Sequence, residues 1–142
     1  MALNLIKLCV GAESLEDQME WSQRRLAAMR EAGAEEQLFH TTRMVPKRRD
    51  ELLDGGSLYW VIKGNVQARQ ALVDIRPFKD NDGIGRCHLM LDNTLVPTQW
   101  QPRRAFQGWR YLKGEEAPAD LIDTDVNIPP ELQRQLAELG LL

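Results

Sequence analysis

Cysteine and histidine are scarce in this chain, and their scarcity excludes several chemistries. Cys9 and Cys87 are the only cysteines among 142 residues and no CxxC pair occurs, so neither a disulfide framework nor a thiol-rich metal site is expected. The two histidines are His40 and His88, and His88 follows Cys87 directly, so on a strand these neighbours point to opposite faces. We predict no metal site and no bound cofactor.

Long hydrophobic runs and phosphate-binding loops are also missing. No stretch approaches the roughly 18 apolar residues that a membrane-spanning helix requires, and residues 1–11 lack the features of a signal peptide. The segment "GGSLYWVIKG" lacks GxxxxGK[ST] spacing, and "DNDG" lacks the further ligands of a calcium loop. We therefore expect a soluble protein of the reducing cytoplasm, with no membrane partner.

The composition is that of an ordinary globular protein. Hydrophobic residues make up 43% of the chain and charged residues 27%, and this length can bury a core without disulfides or metals. We predict a single domain over residues 1–142, with an acidic C-terminal extension at about 114–142 packing on it.

The charges are distributed unevenly. The formal net charge is -3 overall, but it is -3 over residues 1–39, +6 over residues 40–113 and -6 over residues 114–142. A basic middle can attract an anionic partner although the whole chain is acidic. The alternative is that the acidic ends fold over the basic middle and neutralise it.

Helical patterning is clearest between residues 14 and 33. Ser14 can cap this helix with Asp17 three residues on, and Gly33 can end it. Apolar residues recur near one face, at Leu15, Met19, Leu26 and Met29. Two shorter helices are predicted, one over residues 46–56 from Pro46 and one opening at Pro130.

Strand-like runs occupy most of the remaining chain. They are residues 2–10, 36–45, 57–64, 66–78, 84–92 and 106–112, with "DNDG" as a hairpin turn between two of them. The two prolines of residues 93–104 favour an edge or a loop. We predict an α+β fold with a compact, mainly antiparallel, partly open β-barrel-like core and flanking helices.

Basic residues gather before and within the predicted short helix. Arg43, Lys47 and Arg48 fall there, and cations in a first helical turn oppose the helix dipole. A bound phosphate would relieve this conflict, because backbone N–H groups and cations would converge on one anion. The alternative is that these side chains are solvated or pair with Asp50 and Glu51.

A second basic group is interleaved with aromatic residues. "PRRAFQGWRYL" contains Arg103, Arg104 and Arg110 beside Trp109, and "SLYWVIKG" carries Tyr59 and Trp60 on opposite faces of a strand, followed by Lys63. One ring of that strand is expected in the core and the other exposed. Arginines that neutralise phosphates and rings that stack on bases are typical of RNA-binding surfaces; core packing is the alternative for each ring.

Five segments, in order and over nearly the full length, resemble a small bacterial family catalogued only as a domain of unknown function. They are "LIKLCVG", "HTTRMVPKR", "ELLDGGSLYWVIKG", "ARQALVDI" and "PRRAFQGWRYL". This resemblance implies no activity. More distantly, the helix running into "DGGSLYWVIKG" and the strand "ARQALVDI" are similar to PUA-like and ASCH-like domains. That likeness implies a partly open barrel and an association with RNA or modified nucleotides.

The leading functional hypothesis is a non-enzymatic RNA- or nucleotide-binding module with a basic, aromatic-lined cleft. An enzyme acting on a nucleotide or another phosphorylated small molecule is the first alternative, with His40 as acid–base group aided by Asp74. A pair of Cys9 or Cys87 with His40 is a further candidate, although both cysteines fit core positions better. A protein-interaction module is the last alternative.

Overall fold

The structure, a computed structural model, describes residues 2–121 and Arg134. Within residues 2–121 the chain forms two α-helices, seven strands and a short 3-10 turn at Gly114–Glu116. In chain order these are β1 Leu3–Leu8, α1 Leu15–Glu31, β2 Phe39–Thr42, α2 Arg49–Leu52, β3 Ser57–Ile62, β4 Asn65–Lys79, β5 Gly85–Leu91, β6 Val96–Pro102 and β7 Trp109–Lys113.

The seven strands form one mixed sheet. Its order is β2-β5-β4-β3-β1-β7, and β6 pairs with β4 beside this path. β1 and β3 are parallel, and the other strand pairs are antiparallel. The predicted α+β class is confirmed. The predicted barrel is not, because β2 and β7 lie at opposite ends of the path and the sheet does not close.

Strand β4 is the centre of the sheet. Its first half pairs with both β3 and β6, and its second half pairs with β5. The register shifts near Ala68 and again between Leu72 and Asp74, and such bulges bend and twist a strand. One long strand can therefore serve two differently oriented parts of the sheet.

Alternation along the strands separates two groups of buried side chains. The larger group includes Leu5, Trp60 and Leu89, and residues of α1 and α2 pack on it; we call its side of the sheet the helix-side face. The smaller group includes Ile6 and Val61 on the other side, which we call the far face.

Helix α1 forms where the sequence pattern predicts it. The Ser14 side chain accepts a hydrogen bond from the Asp17 backbone N–H at 3.2 Å, while Asp17 accepts one from the Glu13 N–H at 3.0 Å. These two bonds satisfy backbone donors at the start of the helix. Gly33 takes a positive φ of 72° immediately after the C-cap at Ala32, which confirms it as the residue that ends the helix.

Other predicted elements differ in extent. Helix α2 has four residues instead of the predicted span over residues 46–56, whereas "DNDG" does join β4 to β5 as an antiparallel hairpin. The proline-containing segment is strand β6, which pairs with β4 and touches Asp120 through an isolated bridge at Thr98. The helix predicted from Pro130 lies outside the described residues. Among the residues that are described, no helix is long and apolar enough to cross a membrane.

Gly56 provides a test of packing where α2 turns into β3. A Cβ at this position would lie 2.3 Å from the carbonyl oxygens of both Leu3 and Leu52. Because backbone atoms cannot yield cheaply, we expect Gly56→Ala to lower the free energy of unfolding by about 3 kcal/mol or more. Gly85 is the matched control, since a Cβ there meets nothing within 4 Å. Urea unfolding should show Gly85→Ala within about 0.5 kcal/mol of wild type, and equal losses in both variants would contradict this packing.

Candidate functional site

A cavity of about 250 Å³ lies between α1 and the helix-side face of the sheet. Its walls come from the end of β1, the middle of α1, the start of β2 and the neighbouring parts of β3, β4 and β5. We call it the His40 cavity. Its polar lining residues are Cys9, Gln18, Ser22, Arg25, His40 and Gln70, and its aromatic ones are Trp21, Phe39 and Trp60.

Two buried polar atoms of this lining have no hydrogen-bond partner among the described residues. They are the amide oxygen Oε1 of Gln18 and the ring nitrogen Nε2 of His40. Gln18 is only 6% exposed, so its amide is withdrawn from bulk water. A buried polar atom without a partner costs about 1–3 kcal/mol. Two such atoms on one cavity leave its wall able to form hydrogen bonds with a group that enters.

The indole of Trp60 is held in a fixed orientation in the cavity wall. Its Nε1–H donates to Gln70 Oε1 at 2.8 Å, and Gln70 Nε2 in turn donates to the Asp92 carbonyl at 3.0 Å. The His40 ring meets the indole edge-on, with ring centroids 5.2 Å apart and planes at 89°. The two rings therefore present a rigid corner to anything that enters.

The mouth of the cavity carries an aromatic ring and a cation. Trp21 is 39% exposed, and its ring lies over Gly11, where a Cβ would be 3.1 Å from the ring edge. Arg25 is exposed one turn further along α1, with its guanidinium 5.9 Å from the centre of the Phe39 ring. No carboxylate of the described part of the chain pairs with Arg25.

Burial and nearby cations determine the charge state of His40. Burial, followed by the charges of Lys7 and Arg25, lowers the pKa of His40 from 6.5 to about 4. The ring is therefore neutral at pH 7. Lys7 stands between Trp60 and Trp109 in the sheet register, and burial lowers its pKa also.

Cys9 shares the cavity with His40, but its thiol stays protonated. Burial raises the pKa of Cys9 to about 11, with Lys7 acting weakly in the opposite direction. Burial also raises the pKa of Cys87, which is fully enclosed in the core. A nucleophilic cysteine needs a stabilised thiolate, and neither site provides one. The expected core character of Cys87 is confirmed, whereas Cys9 lies half-buried on the cavity wall.

The structure brings three of the predicted phosphate-binding residues together. Arg103, Arg104 and Arg110 line one open cleft of about 480 Å³. Arg110 and Leu112 alternate with Trp109 and Tyr111 along β7, so this cleft belongs to the far face. It is separated from the His40 cavity by the thickness of the sheet.

The other predicted cations lie elsewhere. Arg48 is ion-paired with Glu51, and Lys63 with Glu13 at 2.8 Å. The backbone N–H groups of Lys47 and Arg48 both donate to the Tyr111 hydroxyl. These two donors are already satisfied, and Lys47 and Arg48 precede a helix of only four residues. Arg43 is exposed and does not line the cleft of the three arginines.

The three predicted stacking rings are buried. Tyr59 is 7% exposed, and Trp60 and Trp109 are each 5% exposed, so the expectation that one ring of β3 is exposed is wrong. Both faces of β3 are covered, which leaves no solvent side for either ring. Trp109 Nε1 donates to the Met44 carbonyl at 2.8 Å, which fixes it in the core. Of the three, Trp60 alone lines the His40 cavity.

The predicted partnership of His40 with Asp74 is also wrong. Asp74 forms ion pairs with Arg49 and Arg76, and the hydrogen bond from Arg76 is the main cause that lowers the pKa of Asp74 to about 2. Asp74 does not line the His40 cavity. His40 has instead two neighbouring cations and an indole.

Gln18 is a residue of the candidate site that is not predicted from the sequence. It lies one turn after Leu15 and two turns before Leu26, inside the apolar stripe of α1, and Ser22 falls on the same stripe. The sequence feature that could have identified them is the presence of two polar residues within an otherwise apolar helical face. Polar side chains at these positions would be solvated on an exposed helix, but they lose contact with water when the helix packs on a sheet.

Replacing Gln18 by leucine should stabilise the protein. Leucine fills nearly the same volume without an unpartnered amide, so we expect the free energy of unfolding to rise by about 1–2 kcal/mol. Gln23→Leu, at an exposed position of the same helix, should stay within about 0.5 kcal/mol of wild type. Urea unfolding measures both. A less stable Gln18→Leu protein would mean that this amide serves the fold.

The lowered pKa of His40 predicts acid sensitivity. Protonation favours the unfolded chain, because the folded pKa of about 4 lies below the ordinary 6.5. The contribution of the neutral His40 ring to the free energy of unfolding is fully present above pH 6.5. It is lost as the pH falls towards 4, and the total loss is about 3 kcal/mol.

Unfolding free energies measured from pH 7 to pH 4 should therefore fall more steeply for wild type than for His40→Gln. The same substitution at the other histidine, His88→Gln, isolates the contribution of His40. Parallel pH profiles for wild type and His40→Gln would contradict the burial of a neutral imidazole.

Comparison with known proteins identifies the family without assigning an activity. The family model described as "Protein of unknown function (DUF1489)" matches residues 5–142. No curated protein and no solved structure matches the chain, so the distant PUA-like likeness stays a prediction. The match over nearly the full length establishes that the chain belongs to the DUF1489 family.

Proposed function

We propose that this protein binds a nucleotide, with the base in the His40 cavity and the phosphate at its mouth. The observation that carries the proposal is the pair of buried, unpartnered atoms, Gln18 Oε1 and His40 Nε2, on the wall of one cavity. A guest in this cavity would supply hydrogen bonds that the described residues do not supply.

The size of the cavity limits what can enter. Sites for drug-sized ligands are typically about 300–1,000 Å³, whereas the His40 cavity is about 250 Å³. It is also far larger than a single water molecule needs, since water occupies about 30 Å³ in the liquid. One heterocyclic ring fits this range, with any larger part of the ligand left outside.

The lining favours a planar ring with hydrogen-bonding edges. Trp60 and Phe39 contribute aromatic surfaces to the lining of the His40 cavity, beside a small number of polar groups. Gln18 Oε1 can only accept a hydrogen bond, so it requires an N–H or O–H on the guest. A neutral His40 can donate or accept at Nε2 according to its tautomer. Nucleobases carry both kinds of group around a flat ring.

The charge at the mouth favours an anionic substituent. Arg25 is exposed beside the cavity and has no described carboxylate partner, and Lys7 lies close enough to affect the pKa of His40. Arginine can form two parallel hydrogen bonds to a phosphate. A nucleotide would thus place its ring against Trp60 and its phosphate near Arg25.

Tryptophan fluorescence can test this directly, because Trp60 and Trp21 line the cavity. We expect one of the four common nucleoside monophosphates to change the emission saturably, with one site per chain. Gln18→Leu should lower the affinity by about tenfold or more, as expected when a hydrogen bond of about 1.4 kcal/mol is lost. Gln23→Leu, on the exposed side of α1, is the matched control.

Two further variants separate ring from phosphate. Arg25→Gln should weaken nucleotide binding while leaving the affinity for the corresponding nucleoside unchanged. Arg24→Gln, at the adjacent exposed position, should affect neither. Absence of any saturable response to the four nucleotides, or undiminished affinity in Gln18→Leu, would refute the proposal.

A further inference from the structure

We propose that the cleft of Arg103, Arg104 and Arg110 on the far face binds the phosphate backbone of single-stranded nucleic acid. This site is distinct from the His40 cavity, and binding there does not require that cavity. We call it the arginine cleft. Its other lining residues include Phe106, Tyr111 and Glu116.

Three arginines without a described carboxylate partner lie together in this cleft. Seven arginines form ion pairs with carboxylates of the chain, whereas none of the three cleft arginines does so among the described residues. The seven paired arginines are Arg24, Arg30, Arg48, Arg49, Arg69, Arg76 and Arg86. The cleft lining contains three arginines and one carboxylate, that of Glu116. Arg25 and Arg43 also lack a described carboxylate partner but lie outside this lining, whereas three such arginines line the cleft together.

Two of the guanidinium groups are held in position by neutral acceptors. Arg110 Nη1 donates to the carbonyl oxygens of Gln107 at 2.8 Å and Trp109 at 3.2 Å. Arg103 donates from Nε and Nη2 to Gln101 Oε1, at 3.2 Å and 3.0 Å. These contacts restrict the side chains without cancelling their charge, and they leave other N–H groups available. Prior ordering of this kind reduces the entropy that binding would cost.

The aromatic residues of the cleft favour nucleic acid over an acidic peptide. The Arg110 guanidinium lies over the Phe106 ring, 5.3 Å from its centre, so an aromatic ring and a guanidinium plane lie together in the lining. Single-stranded nucleic acids are bound by neutralising phosphates and by stacking bases on aromatic rings and on guanidinium planes. An exposed arginine already stacked on a ring offers its other plane for such a base.

Fluorescence anisotropy with labelled oligouridylate and oligothymidylate of about 12 nucleotides tests the proposal, and comparison of the two probes separates RNA from DNA. At about 50 mM salt, the triple variant Arg103→Gln, Arg104→Gln and Arg110→Gln should bind at least about tenfold more weakly than wild type. The matched control removes three charges elsewhere, as Arg24→Gln, Arg30→Gln and Arg76→Gln, and should bind like wild type. Circular dichroism verifies folding, and Arg104→Gln alone, at an exposed loop position, provides a milder variant.

The salt dependence adds a second readout. For single strands the slope of log K against log salt is about -0.7 for each phosphate neutralised, so the cleft variant should lose a slope of about 2. Gln18→Leu should not change this binding, which separates failure of this proposal from failure of the nucleotide proposal. Three results would overturn the arginine cleft as a nucleic-acid site: no binding at low salt, equal losses in both triple variants, or equal competition by polyglutamate.

Discussion

The hydrogen bonds that Gln18 and His40 do not make are the constraint on which this account depends. Protein interiors pair nearly all of their buried polar atoms, because an unpaired one loses its bonds to water without replacement. Here two such atoms lie on the wall of one cavity, among rings that are themselves fixed by hydrogen bonds or edge contacts. A third such atom, Asn65 Oδ1, lies outside the cavity lining, but two on one wall are the pattern expected of a binding site.

The topology of the sheet brings the residues of the cavity together. The parallel pair β1 and β3 requires the chain to cross over one face, and α1 and β2 belong to that crossover. Lys7, His40 and Trp60 thereby meet beneath the helix although they are far apart in sequence. The far face is built differently: its smaller core leaves β7 and the preceding loop exposed, with three arginines gathered at one edge. The two faces thus present a partly enclosed cavity and an open cationic surface.

Local interactions made much of the fold predictable. Helix α1 carries its own cap, stripe and terminating glycine, and the β4–β5 hairpin carries its own turn, so both were predictable from short segments. Helix α2 is shorter than predicted because the backbone of Arg48 is not helical, with φ of -97° and ψ of 49°. The N–H groups of Lys47 and Arg48 donate instead to the hydroxyl of Tyr111, more than sixty residues away. Whether the sheet closes into a barrel was not predictable from the sequence, since closure depends on which strands meet at the ends of the sheet.

The candidate sites were predictable only where sequence neighbours stay neighbours in space. Arg103, Arg104 and Arg110 flank a single turn and therefore converge, whereas Arg48 and Lys63 find carboxylate partners elsewhere. The role of Gln18 depends on the long-range packing of α1 on the sheet, and its sequence signal is one polar residue within an apolar stripe.

Nitrogen NMR of the histidine rings shows whether His40 Nε2 is neutral and whether it binds a nucleotide. In long-range ¹H–¹⁵N spectra of labelled protein, the His40 ring signals are identified by their loss in His40→Gln. We expect a neutral ring at pH 7 whose Nε2 resonance shifts on titration with the nucleotide that binds, saturating at one ligand per chain. A charged imidazole at pH 7, or an Nε2 signal that no nucleotide moves, would contradict it.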